Sequence, residues 1–159
     1  VNEALREFLE RYKYQKPYPT SLDFLEILSK KVPDSLNYLI TDWFEEITLY
    51  DYRMKEASYK KFSENRYQVR LMVEAYKLKI DSTGMEYKAP LNDWVDIGIY
   101  ADSEDRELRY CQKVFLTDTH MNFEIEVDFE PVKAAIDPKR LLIEKAVNDN
   151  VLTVLITEL

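Results

Sequence analysis

A change of sequence period within residues 33–53 constrains this chain more than any other feature. Up to Ile47 the apolar residues recur at helical spacing on one face, at Leu36, Leu39, Ile40, Trp43, Phe44 and Ile47. Beyond Ile47, apolar and polar residues alternate with the period of two that is typical of a strand. No Gly- or Ser-rich linker separates the two patterns. The sequence therefore predicts a helical segment, residues 1–47, that passes directly into a β segment, residues 48–159.

Three short helices are predicted in the first segment. The first covers residues 2–12, with a one-sided apolar stripe at Leu5, Phe8, Leu9 and Tyr12. The second starts at Thr20 or Ser21, has Thr20 and Asp23 at the spacing of a capping box, and ends at Pro33. The third is expected to begin at an N-cap, Asp34. Because three short helices bury little surface, we expect their stripes to pack on something more.

Turn signals divide the second segment into about seven strands with no helical pattern between them. Strands are expected from Thr48 and at residues 66–80, 85–88, 94–100, 107–117, 123–129, 132–136 and 151–156. Residues 54–63 are highly charged and are expected to be a connection. In residues 66–80 the apolar positions change phase after Ala75, which predicts a β-bulge or a strand that passes into a second sheet. This pattern favours an antiparallel β-sandwich.

The composition disfavours several classes of partner. With 30 acidic and 22 basic residues, the formal net charge of −8 disfavours binding to nucleic acid or anionic lipid. The single cysteine, Cys111, excludes an internal disulfide. No apolar run reaches the roughly 18 residues of a spanning helix, and there is no signal-peptide pattern. Because the chain opens inside an amphipathic helix, we expect a piece of a larger protein that does not itself insert into a membrane.

Few residues are candidates for catalysis or metal binding. His120, the only histidine, lies in the polar segment 118–122 and is expected in an exposed turn, whereas a metal site needs several converging ligands. Cys111 has no histidine near it and is expected to be a small strand residue rather than a nucleophile. Neither H-E-x-x-H nor C-x-x-C occurs, and two glycines provide no phosphate-binding loop. No catalytic, cofactor-binding or metal-ligating residue is therefore assigned.

Two groups of acidic residues leave alternatives open. Alternation with core positions predicts that one group lies on a solvated sheet face, namely Glu124, Glu126, Asp128 and Glu130. A calcium site is the alternative for this group, because carboxylate oxygens suit that ion. Asp93 and Asp96, on either side of Trp94, are expected to cap a loop, with a polar pocket as the alternative.

Tyrosine is abundant, and eight of the twelve tyrosines fall in or near predicted strands, at positions 50, 52, 59, 67, 76, 87, 100 and 110. We expect them at the rim of the sandwich core, with the hydroxyl groups reaching water. The alternative is an exposed cluster that stacks on sugars or forms a protein interface.

Several separated segments resemble one protein family. VNEALREFLERYKYQKPYPTSLDFLEIL (1–28) and PDSLNYLITDWFEEITLYDYR (33–53) resemble the end of the catalytic domain of gluzincin zinc aminopeptidase-like proteins. The resemblance is strongest to bacterial proteins that fuse such a domain to an ABC transporter permease. PLNDWVDIGIYA (90–101) and AAIDPKRLLIEKAVNDNV (134–151) are similar to the C-terminal tail of that family. The resemblance covers nearly the whole chain but includes no catalytic motif.

The resemblance implies a thermolysin-like catalytic domain that ends in helices and is followed by a β-sandwich. Its zinc would be held by H-E-x-x-H and a downstream glutamate, upstream of Val1, so none of those ligands falls within this chain. The expected fold is α+β, a short helical segment (1–47, the end of the catalytic domain) packed on an antiparallel immunoglobulin-like β-sandwich (48–159). We expect Trp43 and Phe44 to be buried between the two.

The expected function is non-catalytic. This chain would be the extracytoplasmic C-terminal part of a membrane-tethered bacterial metallopeptidase-like permease protein, and it would buttress the upstream catalytic domain of the same chain. The alternative is an immunoglobulin-like module that recognises carbohydrate or protein through surface tyrosines. Exposed tyrosines on one face would favour the module, whereas exposed apolar residues on the helices would favour the peptidase-related function.

Overall fold

The computed structural model describes residues 1–14 and 16–157. The chain divides between Ile47 and Thr48 into two compact units, and each has its own hydrophobic core. The first unit contains short helices and the second contains two mostly antiparallel sheets, so the α+β class is confirmed. Among the helices of the described residues, none is both long and apolar enough to cross a membrane.

The first two helices begin where the sequence predicts. Helix α1 is Asn2–Tyr12, and helix α2 is Ser21–Ser29. The capping box is confirmed, because Oδ2 of Asp23 accepts hydrogen bonds from the backbone nitrogen (2.7 Å) and the hydroxyl (2.8 Å) of Thr20. Helix α2 ends before Pro33, since the amides of Lys31 and Val32 both turn back to the carbonyl of Leu28.

The third predicted helix is three short pieces. A 3₁₀ turn, Asp34–Leu36, precedes a single α-turn, α3 (Tyr38–Ile40), and a π-helical turn, Thr41–Glu45. The expected side-chain cap at Asp34 is wrong, because this residue lies inside the 3₁₀ turn and makes no side-chain cap bond. Of the apolar residues predicted to share one face, only Ile40 is buried. A π-turn winds more widely than an α-helix, so the residues after Ile40 no longer follow the predicted face.

The second unit contains nine strands among the described residues. They are β1 (Ile47–Ser63), β2 (Arg66–Ile80), β3 (Glu86–Ala89), β4 (Asp93–Tyr100), β5 (Leu108–Leu116), β6 (His120–Val127), β7 (Lys133–Ile136), β8 (Val151–Thr153) and β9 (Leu155–Ile156). One sheet has the order β3-β2-β1-β9, with β6 also paired to β2, and the other has the order β5-β4-β7-β8. Strands β3, β4, β5 and β7 begin and end within one residue of the prediction.

The two sheets share one core, as in a sandwich. Core residues come from both sheets and include Tyr50, Tyr52, Val69, Ile97 and Ile99. Strand β1 is longer than predicted, because residues 54–63 continue it and do not form a connection. Lys55 and Glu56 are both exposed, and the inward positions move from even to odd numbers there. Because of this shift by one residue and the outward charges, the sequence of the second half of β1 does not continue the alternation that predicts a strand.

Strand β2 runs without the predicted bulge or change of sheet. It pairs with β6 from Tyr67 to Glu74 and with β3 from Lys77 to Ile80, all in one sheet. The phase change in the sequence arises because Lys77 occupies an inward position. Its ammonium group bonds Asp93 at 2.9 Å, so a charged residue takes a core position without breaking the strand.

The last predicted strand is two strands in different sheets. β8 pairs antiparallel with β7, whereas β9 pairs parallel with β1 through Ser58 and Tyr59. Val154, between them, is 5% exposed and belongs to the shared core. The expectation of an antiparallel sandwich is therefore corrected here, because the β1–β9 pairing and the isolated bridge between Tyr50 and Glu144 are parallel.

Candidate functional site

Helix α1 has an apolar face that α2 covers only in part. The covered row is Ala4, Phe8 and Tyr12, at i, i+4 and i+8. Ala4 is fully buried, and the ring of Phe8 lies 5.6 Å from that of Phe24 in an edge-to-face arrangement. Tyr12 donates a hydrogen bond from its hydroxyl to Asp23.

The neighbouring row of α1 is apolar and exposed. It consists of Val1, Leu5 and Leu9, here called the α1 ridge, which are 79%, 43% and 64% exposed. The backbone bond from Leu5 to the carbonyl of Val1 extends the helical geometry to the first residue. The predicted stripe is thus divided, because Phe8 and Tyr12 face α2 while Leu5 and Leu9 face outward. Three aliphatic side chains in one exposed row are a candidate interaction surface.

The charged side chains around α1 are paired away from the ridge. Lys31 Nζ lies 2.8 Å from Glu7, and this hydrogen bond lowers the pKa of the Glu7 carboxyl. On α2, Lys30 pairs with Glu26 at 2.6 Å. Hydrogen bonds from Thr20 lower the pKa of Asp23. Of these contacts, the pair between Lys31 and Glu7 joins α1 to the end of α2, and the other two lie within α2 and its cap.

A second exposed apolar group follows at the end of the first unit. Trp43, Phe44 and Ile47 are 50%, 51% and 58% exposed. The expectation that Trp43 and Phe44 are buried is therefore wrong. The π-helical turn places both side chains on the surface, whereas Ile40 in the preceding turn joins the core of the first unit.

His120 lies in a strand and not in the predicted turn. It is the first residue of β6 and stands directly opposite Glu74 of β2 in the antiparallel register. Its Nε2 is 3.2 Å from Oε1 of Glu74. The side chain is exposed, as expected. Within the short polar run that resembled a turn, Asp118 and Thr119 form a bend, and residues 120–122 are already the start of β6.

Cys111 lies in β5, as predicted for a small strand residue, and it is exposed. Its thiol donates a weak hydrogen bond to Asp96, with a distance of 3.6 Å from Sγ to Oδ2. Asp96 also pairs with Lys139 (2.9 Å) and Lys113 (3.7 Å). Burial favours a higher pKa for Asp96, but the bond from Lys139 and the charge of Lys113 hold that pKa below its usual value.

Asp93 and Asp96 do not form one polar pocket. In a strand, successive side chains point to opposite faces of the sheet. Asp93 therefore points inward, as Val95 and Ile97 do, whereas Asp96 points to the opposite face, as Trp94 does. Asp93 bonds Lys77, which β2 contributes, so the pair spans the two sheets. Trp94 packs on Phe115 of β5 with ring centroids 5.0 Å apart. The sequence did not lead us to predict that Lys77 points inward. The available signal was that this lysine occupies the same alternate positions of β2 as Val69, Leu71 and Val73.

Of the predicted acidic stripe, Glu124 and Glu126 lie on the outward face of β6, whereas Asp128 and Glu130 follow the end of that strand and are exposed. Glu124 bonds Arg70 at 3.0 Å, and Glu126 bonds Arg66 at 2.6 Å, both across the β2–β6 register. Glu130 accepts a hydrogen bond from the hydroxyl of Tyr59. Within residues 1–14 and 16–157, no three His, Cys, Asp or Glu side chains converge as a metal site requires.

The strand tyrosines do not form an exposed cluster. Tyr50, Tyr52, Tyr59, Tyr67 and Tyr100 are buried, Tyr76 and Tyr110 are half-buried, and Tyr87 is exposed. The rings of Tyr50 and Tyr52 meet edge to face at 5.4 Å inside the core. The expected rim positions are thus wrong for these two residues, which are core residues. The surface needed for sugar stacking is not assembled from this set.

Glu144 is a half-buried titratable residue that the sequence did not indicate. It lies between β7 and β8 and accepts hydrogen bonds from the backbone of Tyr52 and the amide of Asn150, each at 3.1 Å. Burial raises the pKa of its carboxyl to about 7. Its neighbours Ile143 and Lys145 are exposed, so no periodic pattern marks its burial.

Models of known protein families were compared with the sequence, and none matches. A search of curated proteins found no similar sequence.

Proposed function

We propose that this chain is the non-catalytic C-terminal part of a membrane-tethered zinc aminopeptidase-like protein of the gluzincin group, fused to an ABC transporter permease. In this proposal the sandwich is immunoglobulin-like, the chain lies outside the cytoplasm, and zinc and catalysis belong to an upstream domain. The first unit buttresses that domain through the α1 ridge. The sequence resemblance and the half-covered face of α1 support the proposal.

The observation that carries the proposal is the exposure of Leu5 and Leu9 beside a row that α2 already covers. Fully burying a leucine contributes roughly 1.5 to 3 kcal/mol, so the ridge provides several kcal/mol to whatever covers it. If residues 1–47 are the end of a catalytic domain, the preceding part of that domain would cover such a ridge. The tyrosine-based binding module has no comparable support, because Tyr50, Tyr52, Tyr59 and Tyr67 are buried.

The experiment begins with the gene sequence that precedes Val1. We expect an H-E-x-x-H motif there, and apolar spans further upstream. The domain carrying that motif, produced separately, should bind this chain in isothermal titration calorimetry. The double variant L5D/L9D should weaken binding at least tenfold, because two carboxylates would enter an apolar contact.

Leu141→Asp is the matched control, because Leu141 is 65% exposed but belongs to the second unit. It should leave binding unchanged. An upstream sequence without the motif would contradict the proposal, as would equal binding by L5D/L9D and the unchanged chain. Stoichiometric, tight zinc binding by this chain alone would contradict its non-catalytic role.

A further inference from the structure

A segment between β7 and β8 lies along the first half of β1. It comprises residues 143–149 and is here called the strap. The amide of Tyr50 donates to the carbonyl of Ile143 (2.9 Å), and the amide of Lys145 donates to the carbonyl of Tyr50 (2.8 Å). The amide of Met54 donates to the carbonyl of Asp149 (2.9 Å). The strap therefore supplies β1 with hydrogen-bond partners at alternate residues.

Glu144 completes this set of bonds with its side chain. The amide of Tyr52, between those of Tyr50 and Met54, donates to Oε2 of Glu144 at 3.1 Å. The other carboxyl oxygen accepts from Nδ2 of Asn150. Glu144 thus accepts a hydrogen bond from the backbone amide of Tyr52, a buried strand residue.

The surroundings of Glu144 are rich in acceptors. The carboxylates of Asp137 and Asp149 both lie near enough to disfavour another negative charge. Among the described residues, Oδ1 of Asp149 and Oδ1 of Asn150 are buried without a hydrogen-bond partner. A protonated Glu144 would bring one donor into this group, whereas an ionised one would bring only acceptors.

The nearby cations are already paired with other acids. Arg53 bonds Asp51 (2.9 Å) and Asp149 (3.3 Å), and Lys145 bonds Glu86 (2.7 Å). No cation is paired with Glu144 within residues 1–14 and 16–157. Burial is the largest cause of the raised pKa, about 7, and the two hydrogen bonds to the carboxyl only partly oppose it.

We propose that the strap is a pH-sensitive contact, held on β1 when Glu144 carries a proton and loosened when Glu144 is ionised. Lifting the strap exposes the carboxyl to water, where its ordinary pKa is 4.5. Between that pKa and about 7 the closed state binds a proton that the open state releases. The closed state is therefore most favoured at low pH, and it loses stability as pH rises toward 7 and slightly beyond.

Amide hydrogen exchange on the whole chain tests this proposal. After correction for intrinsic exchange rates, the protection of the Tyr50, Tyr52 and Met54 amides should fall about tenfold from pH 6 to pH 8. The amides of Ile97 and Ile99, in the other sheet, are the internal reference. Glu144→Gln should abolish the pH dependence, because glutamine keeps an acceptor oxygen but does not ionise. Equal pH dependence in E144Q, or constant protection in the unchanged chain, would overturn the proposal.

Two further measurements keep the result unambiguous. Glu86→Gln removes an exposed acid next to the strap and should leave the pH dependence intact. If E144Q does not fold, a ¹³C NMR titration of the Glu144 carboxyl in the unchanged chain replaces it. A midpoint near 7 supports the proposal, and a midpoint near the ordinary value of 4.5 overturns it.

Discussion

The Nζ atom of Lys77 lies 2.9 Å from Oδ1 of Asp93, and the two side chains are only 6% and 3% exposed. One residue comes from β2 and the other from β4, so this ion pair joins the two sheets within the second unit. The attraction between the two charges offsets part of the cost of burying them.

Removing one partner of this pair should lower the free energy of unfolding far more than replacing both partners. Asp93→Ala removes the buried carboxylate that Lys77 bonds and should lower the free energy of unfolding by about 3 to 5 kcal/mol. The double variant K77M/D93L replaces the pair with apolar side chains and should recover most of that loss. Urea denaturation followed by circular dichroism measures both. A cost below about 1 kcal/mol for D93A would show that the pair is not buried as described.

Gly98 should not tolerate a methyl group. A Cβ there would lie 2.7 Å from Cδ1 of Leu108 and 2.9 Å from Cγ of Pro138. The leucine can move, but the proline ring is rigid, so Gly98→Ala should cost about 1 to 3 kcal/mol of unfolding free energy. Gly84 is the comparison, since nothing lies within 4 Å of its Cβ position and its φ is +85°. Gly84→Ala should cost only about 1 kcal/mol, from backbone strain. Thermal denaturation of the two variants should give this order, and the reverse order would contradict the packing at Gly98.

Asp96 should make the fold sensitive to acid. Because the pKa of Asp96 is lowered in the folded state, its contribution is present above the unfolded pKa and is lost as pH falls through the folded pKa. Lys139→Met removes the closest cation, so the pKa of Asp96 should rise and acid unfolding should begin at a higher pH. Lys113→Met should shift it less, because that ammonium is 3.7 Å away rather than 2.9 Å. Circular dichroism from pH 6 to pH 2 measures the midpoints, and an unshifted K139M midpoint would contradict this assignment.

Regular alternation made much of the second unit predictable. The bounds of β2 follow from Tyr67, Val69, Leu71 and Val73, which alternate with polar residues and all point into the core. The second half of β1 was missed because only Ala57 and Tyr59 point inward there, one residue out of phase with Tyr52 and Met54. A pattern this short among charged residues does not distinguish a strand from a connection.

The candidate surface was predictable only in part. Spacing placed Leu5, Phe8, Leu9 and Tyr12 on one face of α1, and the helix is where it was expected. Which half of that face is covered depends on the position of α2, which packs on Phe8 and leaves Leu9 exposed. Local sequence contains no information on that choice, because both rows are equally apolar.

By itself, the sequence determined the local elements: the change from helical to strand period at Ile47, the capping box of α2 and the alternation of β2. Only the tertiary structure decided the environments of single side chains. Lys77 is stable in a core position because β4 brings Asp93 to it. Glu144 is half-buried because the strap lies against β1, which is far away in sequence. Periodicity reports which way a side chain points, whereas burial and charge depend on what the rest of the fold places beside it.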